Sequence, residues 1–302
     1  MDSLQQIERQ EAIERTFNRK HIDKYIRAEI EANPDMQAKI DQGIQLITEY
    51  MGKDYYESKN ARIAQLQGMD LRTLVTEIFV GVAYCQIEEL FTSVTAMMAG
   101  RLRFSDKLDA IKTIAELMAV LCLTDAFDIL KADKSASLMV VSHIPLSADT
   151  LRFIENSQYL PPMVCEPLEL TNNYSSGYIT HNDSLILGMG NHHDGDLCLD
   201  VLNLLNATPL RLDTDFLSSI EEDPTFVTDT AEKAQQWENF KRQSYEFYLL
   251  IAQYGNCFHL THKVDKRGRI YAQGYHINTQ GTAFKKAMVE LAKQEVVMGV
   301  PS

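Results

Sequence analysis

Apolar residues recur at helical spacing from Ile13 to Leu121, and the pattern changes near Lys134. That change of period constrains the fold more than any other feature, because helices and strands bury apolar residues at different intervals. Ile13 and Phe17, then Ile22, Tyr25, Ile26 and Ile30, hold helical spacing until Asn33-Pro34 breaks it. Met36, Ile40, Ile44 and Ile47 predict a second helix ending near Gly52. Asp70 is placed to cap a long third helix, with Leu71, Leu74, Ile78, Val82 and Cys85 on one face and a stop at Gly100. Ser105 is placed to cap a fourth, carrying Leu108, Ile111, Ile114, Met118 and Leu121. Stripes of this kind pack cores.

Beyond Lys134, Leu138 to Val141 is strand-prone, and a helix is predicted from Ala148 to Gln158. Pro161, Pro162 and Pro167 hold the next segment extended, since proline fixes φ and lacks an amide donor. Tyr178–Thr180 and Leu185–Leu187 are spaced to pair as a hairpin across Asn182-Asp183. Leu197, Val201, Leu204 and Leu205 return to helical spacing. A long helix follows from about Asp229 to Tyr254, with Trp237, Phe240, Tyr248 and Ile251 inward and Gly255 ending it. The acidic stretch between these helices reads as a mobile linker. The expected class is mainly α, of α+β type, in four regions: a helical domain 1–158, an extended connector 159–196, a helical region 197–257, and a small β element with a helix over 258–302.

No stretch reaches the roughly twenty apolar residues of a membrane helix, and the residues after Met1 are polar, without a signal-peptide core. The five cysteines are scattered and never spaced as a metal clip, which predicts free buried thiols in a reducing cytoplasm. A net charge of −13 argues against a chain coated with phosphate contacts. The charge is polarised, however. Between His259 and Lys293 stand seven basic residues (Lys263, Lys266, Arg267, Arg269, Lys285, Lys286, Lys293) against Asp265 and Glu290, a local 7 − 2 = +5.

Asn191-His192-His193-Asp194-Gly195-Asp196, with His181 and Asp183 upstream, contains metal-ligand residue types. Adjacent histidines point apart, though, and there is no His-Glu-x-x-His helix. A polar turn whose Asp caps the helix near Leu197 is the better reading. Hydrolase elbows and phosphate loops are missing, and Gly188-Met189-Gly190 lacks the third glycine of a dinucleotide site.

The most specific constellation is Lys263-Val264-Asp265-Lys266-Arg267-Gly268-Arg269-Ile270-Tyr271-Ala272, then Asn278-Thr279-Gln280-Gly281, then a helix-like run from Phe284 to Lys293. Val264, Ile270 and Tyr271 are strand formers interleaved with bases. Gly268 permits close backbone approach. Arg269 offers a planar fork to a phosphate, and Asp265 is placed to orient it. Gly281 is placed to open a helix carrying Lys285 and Lys286 in its first turns. This segment resembles the template-contacting Thr/Asp-x-x-Gly-Arg motif of the single-subunit RNA polymerases of phages and mitochondria. Asp265, Gly268 and Arg269 fill the motif, and the likeness continues through Tyr271, Ala272, Asn278, Gln280, Gly281, Lys286 and Leu291-Ala292-Lys293. Weaker likeness runs upstream through Pro162–Pro167, Gly177-Tyr178 and Leu202–Thr208.

The resemblance implies nucleic-acid contacts by Lys263, Asp265, Arg267, Gly268, Arg269, Tyr271, Gly281, Lys285 and Lys286, with 197–257 as a short thumb and 258–302 as the start of the palm. Counterparts of the family's two metal-binding palm aspartates, and of its fingers lysine and tyrosine, are not found. In this the chain is similar to the small subunit of the heterodimeric RNA polymerase II of N-four-like phages. The implied partner is a larger chain with palm, fingers and the catalytic Mg²⁺ ions; this chain itself would carry no cofactor and would work in the infected host's cytoplasm on DNA template and RNA–DNA hybrid. The family's strand-separating hairpin should fall near Met139–Asp149, where only Val141–Ser147 is open, so help from a single-strand-binding protein is a further expectation. Another loop, Lys131–Ser137, is the alternative wedge. A polymerase-derived transcription regulator without polymerase activity is the alternative function.

Overall fold

The computed structural model describes residues 3–132, 136–157, 159–188, 191–293 and 299. They form two compact units, one of residues 19–155 and one of 1–18 with 156–302. The first helix, α1 (Ser3–Phe17), therefore folds with the later residues, although it is contiguous with the helical stripes.

The 19–155 unit is a helical bundle with a small sheet. Its first helices, α2 (Arg19–Ala32) and α3 (Pro34–Met51), meet at Asn33, whose side chain accepts from Asp35 N at 3.0 Å and Met36 N at 3.3 Å. Pro34 suits the first turn because no partner exists there for an amide. A short α4 (Glu57–Ala64) precedes α5 (Leu71–Val82), α6 (Phe91–Met98), α7 (Lys107–Leu121) and α8 (Ala148–Asn156). Ile22, Ile26, Ile40, Ile47, Ile78, Phe79, Leu117 and Leu121 are among the buried side chains of one continuous core. Each such burial stabilises by roughly 1.5–3 kcal/mol.

Two local readings change, and one helix goes unread. Asp70 does cap α5, accepting from Arg72 N at 3.2 Å, but the helix stops at Val82 rather than Gly100. There the chain turns to lay β1 (Glu89–Leu90) against a strand, and the Cys85 carbonyl accepts from Ser142 N. The cap of α7 is Asp106, one residue beyond Ser105, accepting from Asp109 N at 2.8 Å. And α4 had no apolar stripe to announce it. Its anchor is Arg62, buried and bonded to Glu116 at 2.7 Å and Thr113 at 3.2 Å.

The strand-prone run is β3 (Leu138–Ser142), which pairs antiparallel with β2 (Phe127–Lys131) and, on its other side, β1. Phe127 and Val140 face the core, while Leu130 and Leu138 are exposed near the hairpin end. A β2–β3 hairpin therefore stands at the loop read as the alternative wedge. The hairpin lies just upstream of the short 142–147 loop, and Lys131–Ser137 is its tip, of which 133–135 lie outside the described residues.

The second unit contains α1, α9 (Leu199–Ala207), β4 (Leu210–Leu212), α10 (Thr214–Ser219), α11 (Ala231–Gln253), β5 (His262–Val264), β6 (Ile270–Ala272), α12 (Ala283–Ala287) and β7 (Val289–Leu291). Ile13, Leu212, Phe247, Ile251, Phe258 and Met288 share its core. The acidic linker is in part ordered: Asp213 caps α10 by accepting from Phe216 N at 2.9 Å. The run from Phe284 is helical only to Ala287, after which β7 pairs antiparallel with β4, Leu291 opposite Leu210. The β-branched Val289 and a partner strand override the helical reading.

The expected 178–187 hairpin does not form. Ile179 N and Thr180 N donate instead to the Glu14 carboxylate of α1, at 3.0 and 2.8 Å. Leu185–Leu187 runs beside β5, with Val264 N donating to Leu185 O and Leu187 N to Val264 O. All five cysteines are free, but Cys198 and Cys257 are exposed rather than buried. Among the described residues no helix is long and apolar enough to cross a membrane.

Candidate nucleic-acid interface

The basic segment folds as a tight hairpin. β5 and β6 pair His262 with Ala272, Lys263 with Tyr271 and Val264 with Ile270. Asp265 N donates to Arg269 O, and Gly268 N to Asp265 O, both at 2.9 Å. Gly268 has φ +82°, the left-handed conformation that closes a three-residue loop of this kind. Among the described residues, none other than its two chain neighbours comes within 4 Å of where its Cβ would sit. The glycine is explained by its backbone angle, with no close approach inside the chain.

Alternation along the two strands separates the faces. Val264 and Ala272 are buried, and Val264 and Ile270 join Leu170, Leu185, Ile186 and Leu202 in a small core that seats the hairpin. Lys263, Asp265, Arg269 and Tyr271 lie on the other face. Asp265 Oδ1 accepts from Arg267 N at 2.9 Å and Arg269 N at 3.0 Å, and its Oδ2 accepts from Arg269 Nε at 2.7 Å and Nη2 at 2.6 Å. Arg267 Nε stands 3.6 Å from the same oxygen. Arg269's amide and then its side chain hold the Asp265 carboxyl below the usual carboxylate range, and that carboxylate in turn raises Arg269. With both oxygens occupied by nitrogen donors, Asp265 is an orienting anion rather than a metal ligand. The Arg269 side chain remains 53% exposed, 5.5 Å from the Tyr271 ring centroid. Arg267 and Arg269 thus gather on one carboxylate at an exposed tip that also carries Lys266.

The residues around this tip divide in role. Gln280 braces the edge of β6, accepting from Ala272 N at 2.9 Å and donating to Ile270 O at 3.2 Å. Asn278 donates to Ala272 O and Gly274 O and accepts from Gln280 N at 2.7 Å. The Asn-x-Gln-Gly spacing therefore builds the hairpin's side, a structural part that residue type alone does not reveal. Lys263 is bound to Asp183 at 2.8 Å. Lys285 turns inward: it is buried, its Nζ donates to Tyr275 O at 2.6 Å, and it faces the rings of Tyr275 and Phe240. Burial lowers its pKa. A Cβ on Gly281 would come within 2.8 Å of the Lys285 side chain, so that glycine makes room for the fold-back. Thr282, not Gly281, caps α12, accepting from Lys285 N. Lys286 is exposed. The tip collects Asp265, Arg267, Gly268, Arg269 and Tyr271; Lys285 is apart from it in the core.

The histidine loop is not gathered around a centre. Asn173 Nδ2 donates to His193 O and Gly195 O at 2.7 Å, and the Tyr174 hydroxyl to Asp194 at 3.3 Å. His181 stacks on Tyr178 beside Glu14 and Asn18, and Asp183 holds Lys263. Among the described residues no group of three His, Cys, Asp or Glu could hold a metal. The helix after the loop starts at Leu199 with no side-chain cap, so neither Asp194 nor Asp196 serves as one. His192 and His193 are exposed. Replacing both with alanine should change the unfolding free energy by no more than surface substitutions do, within about 0.5 kcal/mol each. It should also leave the activity of the chain's assembly intact. A loss of activity that added divalent metal restores in the parent would reverse that reading.

No family model matches the chain. Over 139 residues it is 27% identical to a probable DNA-directed RNA polymerase of Gelasinospora sp. (strain G114). The match covers 43% of this chain and 17% of that polymerase. The chain is thus distantly similar, over less than half its length, to a small part of a much longer protein.

Proposed function

We propose that this chain is a subunit of a DNA-directed RNA polymerase that contacts template and RNA–DNA hybrid, while a larger chain supplies the palm, the fingers and the two-metal site. The observation that carries the reading is the exposed tip at Asp265–Arg269, which concentrates three cations in a chain of net charge −13. The similarity to a DNA-directed RNA polymerase and the Asp-x-x-Gly-Arg resemblance support it.

Chemically, the tip fits phosphate binding rather than bond making. Asp265 fixes the Arg269 fork before any ligand arrives, so less freedom is lost when a phosphate docks. Arg267 and Lys266 add exposed positive charge, which raises the local concentration of a polyanion. The Mg²⁺ ions belong, in this reading, to the partner's carboxylates, where they would activate the attacking hydroxyl and stabilise the leaving group. This chain's part is to hold the hybrid in register. The heterodimeric phage enzymes are the form of the family that divides the work in this way.

The β2–β3 hairpin, which closes at the alternative wedge loop, is a candidate strand-opening element in place of the family's own. A single-strand-binding helper remains a proposal without structural support of its own.

The test is purification of the tagged chain from the cells that express it, followed by RNA synthesis assays. A larger chain should co-purify, the pair should make RNA, and the isolated chain should make none. Nucleotide incorporation by the rigorously purified single chain would overturn the division of labour. Tight DNA binding by a chain that never acquires a polymerising partner would favour a regulator instead.

A further inference from the structure

Between α11, α12 and the segment preceding α11 lies a cavity of about 260 Å³. Its walls include Tyr245, Tyr248 and Phe284, and carboxylates of Glu221, Glu222 and Glu238 line it. Tyr248 is 7% exposed, and its buried hydroxyl makes no hydrogen bond of full geometry among the described residues, although the Ser244 side chain interacts with it. Ser244 beside it is already committed, donating to Phe240 O at 2.9 Å and meeting His276 Nδ1 at 2.7 Å. A buried hydroxyl left short of a full hydrogen bond is costly, and native structures rarely keep one without a reason.

The charges are uneven in a matching way. Of the wall cations, Lys241 is held by Glu238 at 2.8 Å and Arg242 lies 3.7 Å from Glu246. Glu222 has no ion pair among the described residues, and its hydrogen bond there is a long one from Thr282 Oγ1, 3.3 Å. Burial pushes its pKa up, against the pull of Lys285, whose ammonium is committed to Tyr275 O. A half-buried carboxylate short of donors, an under-satisfied hydroxyl and aromatic walls are together what recognises a cation. An anion would meet the carboxylates instead.

We propose that this cavity binds an organic cation, a guanidinium, amidinium or ammonium group, with Glu222 as its counter-ion and the Tyr248 hydroxyl as a second polar contact. This site is separate from the hairpin tip and does not depend on the polymerase reading. The group has two natural sources, a free amine or a basic side chain of a bound protein.

Benzamidinium is a suitable probe, with benzoate and benzyl alcohol as its anionic and neutral counterparts. Titration of the full chain, followed by calorimetry and ligand-observed NMR, should show saturable binding of benzamidinium at one site per chain and none of the other two. Glu222→Gln and Tyr248→Phe should each weaken it roughly five-fold or more while leaving the fold intact by circular dichroism. Loss of benzamidinium binding in the chain's natural assembly would identify a partner's side chain as the source, and retention a free amine. No saturable binding to the parent, equal binding of benzoate, or undiminished binding by both variants would each overturn the proposal.

Discussion

In the polymerase assembly proposed for this chain, Arg269→Ala should cut the yield of long transcripts by roughly ten- to a hundred-fold, the range that one lost charge-assisted contact to a phosphate predicts. The loss should fall most heavily on early synthesis, when a hybrid of few base pairs offers few other contacts and short products escape. The variant should fold normally, because the hairpin's geometry does not depend on the guanidinium. Asp265 Oδ1 would still accept from the amides of residues 267 and 269, and Gly268 would still close the turn. Arg269→Lys should recover only part of the activity. An ammonium cannot both satisfy Asp265 and present a planar fork outward, as Arg269 does from an exposed position. The measurement is the ratio of abortive to full-length RNA for parent and both variants, with melting temperature as the control. An unchanged ratio and yield for Arg269→Ala would end the assignment of this residue to template or hybrid.

The parts of this structure that were legible in the sequence are those set by spacing. The stripes through Ile22, Ile40, Ile78 and Ile114 became one core because a helix buries every third or fourth residue whatever its partners are. Asp70 and the Asp265–Arg269 turn were legible because caps and tight turns need particular residues at fixed offsets. What escaped was set by distant partners. β2 has only five residues, and its alternation is visible only once β3 is beside it. Val289–Leu291 looks helical until Leu210–Leu212 pairs with it. Lys285 reads as a surface base in a basic run, yet the rings of Phe240 and Tyr275 and a carbonyl draw it inward. The site was therefore readable at its turn and misleading at its flank, where cation count was a poor guide to cation position.

The largest unread feature is Glu14, and it leads to the prediction with the greatest effect on stability. Its side chain is fully buried, and it lies 165 residues or more from the amides it serves. It accepts from Ile179 N, Thr180 N and the Thr180 hydroxyl, and from Gln10 Nε2 at 3.0 Å, with His181 Nδ1 3.8 Å away. Gln10 in turn accepts from Val164 N at 2.9 Å. One turn of α1 thus supplies the hydrogen bonds that a partner strand would have given to this irregular stretch, which is why the expected hairpin is not needed. Burial pushes the Glu14 carboxyl up, but the bonds from His181, Thr180 and Ile179 outweigh it and bring it down to about 2. Glu14→Ala would leave two partly buried amides without their carboxylate, at about 1–3 kcal/mol each. A total loss on the order of 3–5 kcal/mol is expected, a large share of the 5–15 kcal/mol that holds an ordinary domain together. Glu14→Gln should cost less, since one oxygen still accepts, though its amide would face donors. The folded-state pKa is depressed, so the carboxylate's contribution is fully present above about 4.5 and is lost as pH falls through about 2. The stability advantage of the parent over Glu14→Gln should accordingly shrink as pH is lowered through that window. Urea unfolding of parent and variants at pH 7, 5, 4 and 3 decides the matter. An Ala variant within about 1 kcal/mol of the parent, or a Gln variant whose deficit is the same at every pH, would show that Glu14 does not anchor this segment.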